Sequence, residues 1–349
     1  MKALWTKLDA IGKGSILFIA SIALLAICAY FIIPDNTSNA NTMHVQLAAA
    51  NPGTRFIVIQ QNNDFQGGLS SLFFGKQPTI ETVIVDYKVE GETVQYQESE
   101  GAPWKTIQLA PTQKPEDVIR HKSFLLGSDN YGRDFFSRLV LGSRVSLSVG
   151  FIAVLISLVI GIPLGAIAGY YRGWVDNAIM WLINVIWSIP TLLMVIALTF
   201  VLGKGFWQVF VAVGLTMWVE VARVVRGQVL SIREKEYVDA ARVLGYSDFR
   251  ILFKHILPNA LSPVIVISAA NFASAILIES GLSFLGIGAQ PPIPSWGSMI
   301  RDHYAYVIMG KPFLALLPGA AIMFSVLAFM ALGNALRDVL DVKLNTAEA

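Results

Sequence analysis

The chain has 349 residues, 54% of them hydrophobic and 14% charged, with a net charge of +2. Soluble proteins carry roughly 25% charged residues, so this composition excludes an ordinary water-soluble domain and makes lipid the main solvent. The near-neutral balance offers no electrostatic attraction to nucleic acid. The single cysteine, Cys28, excludes an intrachain disulfide and reads as a small buried apolar residue.

About 20 apolar residues cross a hydrocarbon core, and this rule predicts six spans, at 15–33, 145–168, 178–202, 206–222, 261–285 and 313–336. The first is too long for a signal-peptide core and no small-residue cleavage site follows at once, so it reads as an uncleaved span. LAIC at 25–28 resembles a lipoprotein acylation site only loosely, because Ile27 stands where a small residue belongs. The fourth span is short and ends near Glu220. Pro163, Pro190, Pro263 and Pro318 fall in or near spans, as kinks that shape a cavity or as packing features.

Lys2, Lys7, Lys13, Arg172, the basic residues within 223–254, Arg337 and Lys343 collect on one side of the six spans. The opposite short loops hold only Lys204, Arg301 and Lys311. The positive-inside rule therefore places both termini and the loop between spans four and five in the cytoplasm. Arg133, Arg138 and Arg144 lie on the outer side, at the end of a long segment, and such segments translocate largely regardless of charge.

Three regions follow: 1–33 with the first span, an outer insertion at 34–122, and a core at 123–349. In the insertion, RFIVIQ (55–60), TIETVIVDYKV (79–89), ETVQYQ (92–97) and WKTIQL (104–109) have strand character, the middle two forming a hairpin. NTSNANT (36–42) reads as a linker. The insertion is a contact surface for an external partner or a stabilising cover.

The inner loop, 232–258, is charged and helical. Tyr237, Ala240, Ala241 and Leu244 recur at helical spacing, Gly245 stops that helix, and Ser247 caps a second. In the second, Phe249, Leu252, Phe253, Ile256 and Leu257 line one face, and Pro258 ends it. An amphipathic linker on the lipid surface explains the stripe and the charges. It does not explain paired alanines, a glycine elbow and Leu-Pro together.

Asp239-Ala240-Ala241, three residues, Gly245, and then Leu257-Pro258 resemble the EAA loop of bacterial ATP-binding-cassette importer permeases. His255 departs from the family's usual Ile, which stands next door as Ile256. LLGSDNYGRDFFSRLVLGSRVSLSVG (125–150) and IESGLSFLGIGAQPPIPSWGSMI (278–300) are similar to the peptide branch, in particular to the second permease subunit of dipeptide, oligopeptide and nickel importers. The resemblance covers 123–340 strongly, 1–33 weakly and the insertion not at all.

This resemblance implies an all-α polytopic permease with six transmembrane helices and a small β-rich extracytoplasmic insertion, in the inner membrane with both termini cytoplasmic. It implies a homologous permease partner, two ATPase subunits and an extracytoplasmic solute-binding protein. Glu236, Asp239, Ala240, Ala241 and Gly245 would dock on an ATPase, with Leu257 and Pro258 setting the exit into span five. ATP and magnesium would sit on the ATPases, with no cofactor on this chain. Peptides are the expected cargo, with nickel or another peptide-like solute as the alternative. In line with this division, the chain has no G-x-x-x-x-G-K-[ST], HExxH or GxSxG, and its four histidines, 44, 121, 255 and 303, lack metal-ligand spacing.

Polar groups at membrane depth mark a translocation path or make structural hydrogen bonds; these are Glu279, Asn271 and Asn184. GSDNYGRD (127–134) reads as a structural entry motif, a tight turn without the ligand spacing of an EF-hand, with Asp129, Arg133 and Asp134 as candidate contacts to the binding protein. Trp296 is an interfacial anchor or another outer contact. Two other classes remain. An ion-coupled secondary transporter predicts ionisable pairs near the midplane and repeats; a membrane receptor predicts a larger cytoplasmic output segment.

Overall fold

In lipid a backbone must satisfy its own polar groups, so long apolar stretches fold as helices. The computed structural model describes residues 5–61, 71–77, 80–109, 114–203 and 205–347. Lys2, Thr79 and Lys204 lie outside them. In chain order, α1 is Ala10–Ile27, followed by strands β1 (Arg55–Gln61), β2 (Ile80–Ile84), β3 (Asp86–Glu90), β4 (Thr93–Gln97), β5 (Lys105–Gln108) and β6 (Ile119–Ser123). Then come helices α2 (Phe135–Tyr171), α3 (Gly173–Trp187), α4 (Thr191–Leu202), α5 (Phe206–Arg233), α6 (Glu236–Val243), α7 (Leu257–Phe284), α8 (Trp296–His303) and α9 (Phe313–Ala347).

Among the described residues, five helical stretches are long and apolar enough to cross a membrane: α1, α2, α5, Asp248–Phe284 and Phe313–Leu340. A sixth span exists if α3 and α4 count as one. The expected span at 178–202 is broken beside Pro190, more sharply than a simple kink: α3 and α4 meet at 90°. Pro190 supplies no backbone donor and adopts ψ 127°, outside the helical range, so the helix must restart at Thr191. The fourth span is also longer than expected. Helix α5 runs on to Arg233, which puts Glu220 midway along it.

The chain divides into two compact units, Met1–Ala23 with Val145–Gln290 and Gly319–Ala349, and Leu24–Arg144 with Pro291–Pro318. This differs from the expected boundaries at 33/34 and 122/123. Part-buried hydrogen bonds tie 127–134 to residues 41–50, and Pro291–Pro318 belongs to the same unit.

In the first unit α2 packs on α5 through glycines one turn apart. A Cβ on Gly161 would lie 2.7 Å from the Trp218 carbonyl oxygen, one on Gly165 would lie 2.3 Å from that of Ala222, and one on Gly169 would lie 2.8 Å from that of Arg226. Lipid tails are as apolar as leucine, so close backbone packing of this kind holds membrane helices together. Elsewhere on α2, Phe151 and Val159 are exposed, as a surface toward lipid or another subunit requires.

In the second unit two three-stranded antiparallel sheets form, in orders β2-β1-β6 and β3-β4-β5. Ile57 of β1 pairs with Ile84 of β2 and with His121 of β6, and Val94 pairs with Ile107. Successive side chains of a strand point to opposite faces. On β1, Phe56 and Val58 therefore pack with Val83 and Phe124, while Ile59 joins Ile84, Val94, Tyr96 and Val118. Each such residue, fully buried, contributes roughly 1.5–3 kcal/mol. β6 (IRHKS) was not expected, because its polar residues show no apolar alternation. The 36–42 stretch is not a loose linker. Asp35 Oδ1 accepts from Thr37 N (3.0 Å) and Thr37 Oγ1 (2.7 Å), and Oδ2 accepts from Thr42 N (3.1 Å).

Candidate functional site

The loop between α5 and α7 has the expected elbow. Helix α6 ends with Tyr246 N donating to Ala241 O (3.2 Å) and Gly245 N donating to Arg242 O (2.9 Å). Gly245 has φ +76°, the left-handed value that glycine adopts without steric cost. Ser247 Oγ then accepts from Arg250 N (3.4 Å) to open the next helix.

That second helix does not stop. After a π-helical turn at Ile251–Ile256 it continues into α7, giving one rod over Asp248–Phe284. The expectation that Pro258 ends it is corrected: Pro258 follows the π turn directly, at the start of α7, and the helix continues through it. The π turn also shifts the stripe. Ile251, Leu252 and Ile256 are buried, whereas Phe249 and Phe253 are exposed, their rings 4.5 Å apart.

The two alanines divide as well. Ala241 is buried with Val238, Ile251 and Ile256 in a core that includes Val221, Val225 and Val229 of α5 and Ala260 and Val264 of α7. Leu257 packs against its edge. Ala240 is exposed. Around it Tyr237, Val243, Leu244, Phe249 and Phe253 are exposed too, Val243 at 88%. Glu236 and Asp239 lie exposed in the first turn of α6, where the helix dipole favours acids, and Asp239 accepts from Arg242 Nη1 (2.9 Å). The other side is anchored: Tyr170 of α2 donates to Asp248 Oδ1 (2.5 Å), and Arg233 Nη1 donates to Tyr170 O (2.5 Å). The site is thus a small helix with one face fused into three spans and an apolar ridge on the other. Val238 and Ile251 on the inner face were missed by sequence reasoning, which placed the stripe at ordinary α-helical spacing.

The polar residues inside the spans do not converge on one path. Glu279 is 1% exposed and accepts from Ser283 Oγ (2.7 Å) and Ser146 Oγ (3.3 Å), which ties α7 to α2. Asn271 is buried with its Nδ2 unpaired among the described residues. Asn184 lies on the exposed face of α3. Glu279 and Asn271 therefore present no surface to a solute in this conformation.

The expectation that Asp129, Arg133, Asp134 and Trp296 face an outer partner is corrected, since all four are buried. Asp129 Oδ2 accepts from Arg133 Nε (2.5 Å) and lies 3.5 Å from Arg138 Nε, and its Oδ1 accepts from Tyr131 N and Arg133 N (both 2.9 Å). Burial raises the Asp134 carboxyl above its ordinary range, against the lowering pull of bonds from Ser137. Trp296 Nε1 donates to Leu139 O (3.0 Å). His303 Nδ1 faces Met299 O (2.7 Å) and Nε2 accepts from Asn130 N (3.2 Å), the pairing of a neutral ring, and burial lowers its pKa accordingly. Acids and bases so close in sequence satisfy one another inside a fold, and spacing alone does not reveal that.

A bundle of apolar helices with a short, half-exposed helix between two of them has the architecture of a multi-pass membrane protein. The chain belongs to the family described as binding-protein-dependent transport system inner membrane component, which matches residues 161–346. It is 42% identical over 221 residues to the glutathione transport system permease protein GsiD of Pectobacterium atrosepticum, covering 63% of this chain and 73% of that one. The dipeptide transport system permease protein DppC of Alkalihalophilus pseudofirmus is 42% identical over 220 residues (63% and 72%). The oligopeptide transport system permease protein OppC of Bacillus subtilis is 38% identical over 241 residues (69% and 77%). Among solved structures, a chain of the inward-facing MetNI methionine ABC transporter aligns with a TM-score of 0.47 at 21% identity, over 58% of this chain and 96% of that one.

Proposed function

We propose that this permease subunit imports small peptides, driven by ATPase subunits that dock on the ridge of α6. The observation that carries this is the two-sidedness of the loop. Val243, Leu244 and Phe249 are 88%, 70% and 70% exposed, while Val238 and Ile251 on its other side are completely buried among the spans. Exposed apolar clusters rimmed by charge mark protein interfaces, and a helix fused to the bundle passes on any force applied to it.

In this reading the ridge faces the cytoplasm, both termini lie on that side, and the β-rich unit faces outward. A second, homologous permease completes the path, ATP and magnesium stay on the ATPases, and an outer binding protein delivers cargo. The peptide assignment is supported by the names of the relatives, whose cargoes are glutathione, dipeptides and oligopeptides.

The test is Val243→Asp in the assembled complex. It buries nothing in this chain, so the subunit folds, but a charge on the ridge opposes docking. Loss of copurifying ATPase and of dipeptide uptake, with the permease still inserted, is the expected result. Full uptake with ATPase retained would remove the docking assignment.

A further inference from the structure

A cavity of about 320 Å³ opens between α3, α4, α5 and α7. Trp187, Met194 and Leu277 give it apolar walls, and Thr191 and Ser274 bring hydroxyls that make no hydrogen bond among the described residues. One ionisable group lines it, Glu220.

Glu220 sits midway along Phe206–Arg233, where an ionised group is expensive. It forms no hydrogen bond or ion pair among the described residues. The cations one and two turns on are committed elsewhere. The Arg223 guanidinium stacks 3.8 Å from the Trp187 ring centroid, and Arg226 binds Asp176 twice, at 2.6 and 2.7 Å. Among the described residues, Glu220 therefore has no paired cation.

We propose that Glu220 is a specificity residue of the transport path and that this cavity takes the ammonium end of a small peptide. The proposal rests on the peptide reading above and adds the group that recognises the cargo. A short peptide offers what the walls lack: a cation for Glu220, amide groups for Thr191 and Ser274, and side chains for the apolar surface. The volume falls in the range of small-molecule sites. A basic side chain of the partner permease would satisfy Glu220 equally in charge, but would leave both hydroxyls unused.

The test reads the pocket directly. In the assembled complex carrying Cys28→Ser and Ser274→Cys, the thiol is modified with cationic trimethylammonioethyl methanethiosulfonate and with neutral methyl methanethiosulfonate, at about pH 8, near the ordinary pKa of a thiol. Glu220→Gln should lower the cation-to-neutral rate ratio by about tenfold, and Glu220→Asp should preserve it. Glu220→Asp keeps the charge, and the neutral reagent's own rate would rise in a loosened pocket, so the two together separate loss of charge from misfolding. In complexes otherwise native, Glu220→Gln should lower dialanine uptake by about tenfold and Glu220→Asp should largely retain it.

An unchanged ratio overturns the proposal. If the second permease is then also lost from Glu220→Gln, the charge belongs to the subunit interface. A lowered ratio with undiminished dialanine uptake overturns the cargo role. A lowered ratio in a complex whose native form takes up no dialanine leaves the cation site standing and removes the peptide reading instead.

Discussion

Gly165 of α2 lies directly against the backbone of Ala222 of α5: a Cβ at Gly165 would stand 2.3 Å from the Ala222 carbonyl oxygen. No rotamer change relieves a clash with a backbone atom, so the helices themselves must part. Gly227, also helical, has open space around its Cβ position.

Gly165→Ala should therefore destabilise the purified protein by about 1–3 kcal/mol, whereas Gly227→Ala should be neutral or stabilising by up to about 1 kcal/mol. Thermal unfolding of both variants in one detergent decides it. Equal midpoints would mean that the seam is not tightly packed.

The alanine pair predicts opposite phenotypes at adjacent positions. Ala241 is 5% exposed inside the loop's core, so Ala241→Leu overpacks it and should cost about 1–3 kcal/mol of stability. Ala240→Leu should leave unfolding unchanged and reduce ATPase copurification. Cysteine crosslinking to an ATPase should likewise succeed from Ala240 and fail from Ala241, and a reversed pattern would contradict the packing.

Asp129 answers two buried guanidinium groups, Arg133 and Arg138. Removing one partner of a buried pair costs roughly 3–5 kcal/mol, because the remaining charge stays uncompensated. Asp129→Asn should cost on that order, seen as a fall in the unfolding midpoint with loss of hydrogen-exchange protection around Gly127–Arg133. Wild-type stability in that variant would show that the arginines find other partners.

Acid should loosen the β-rich unit. Burial pushes the Glu81 carboxyl up, but bonds from His44 and Lys122 outweigh it and hold the group below its ordinary 4.5. Lys122 Nζ lies 2.7 Å from Glu81, and His44 Nε2 lies 3.4 Å away. A depressed carboxyl pKa contributes stability that is present above the unfolded value and is lost as pH falls through the folded one. Protection of the β1 and β2 amides should thus decline below about pH 4.5 in the wild type, and Glu81→Gln should flatten that decline. A pH profile identical in both proteins would exclude Glu81 as its source.

Periodicity and turn chemistry made part of this legible. Gly245 announces a helix stop and Ser247 a start, and both hold because each is local, the first a matter of one residue's backbone and the second of one side chain's cap. RFIVIQ forms a strand because β-branched residues suit a pleated surface. The break between α3 and α4 is hidden, since apolar residues run through it and Pro190 is equally compatible with a kink. Arg223 and Arg226 suggested a span ending at 222, yet ring stacking and the Asp176 pair let α5 run on. The alternation of Phe249 and Phe253 with Ile251 and Ile256 depends on a π turn that ordinary helical spacing does not describe. The seam glycines stand four apart in GIPLGAIAG and were readable as a small-xxx-small pattern, though not their partners on α5.

The rod from Asp248 to Phe284 has 37 residues, and so is about 55 Å long. With its tip embedded beside Ala241, it behaves as a lever rather than a tether. A tilt of ~10° about its base would swing the far end by roughly 10 Å, at 1.5 Å of rise per residue. A modest push at one end of the rod would then arrive at the other enlarged, less whatever bending Pro263 within it absorbs.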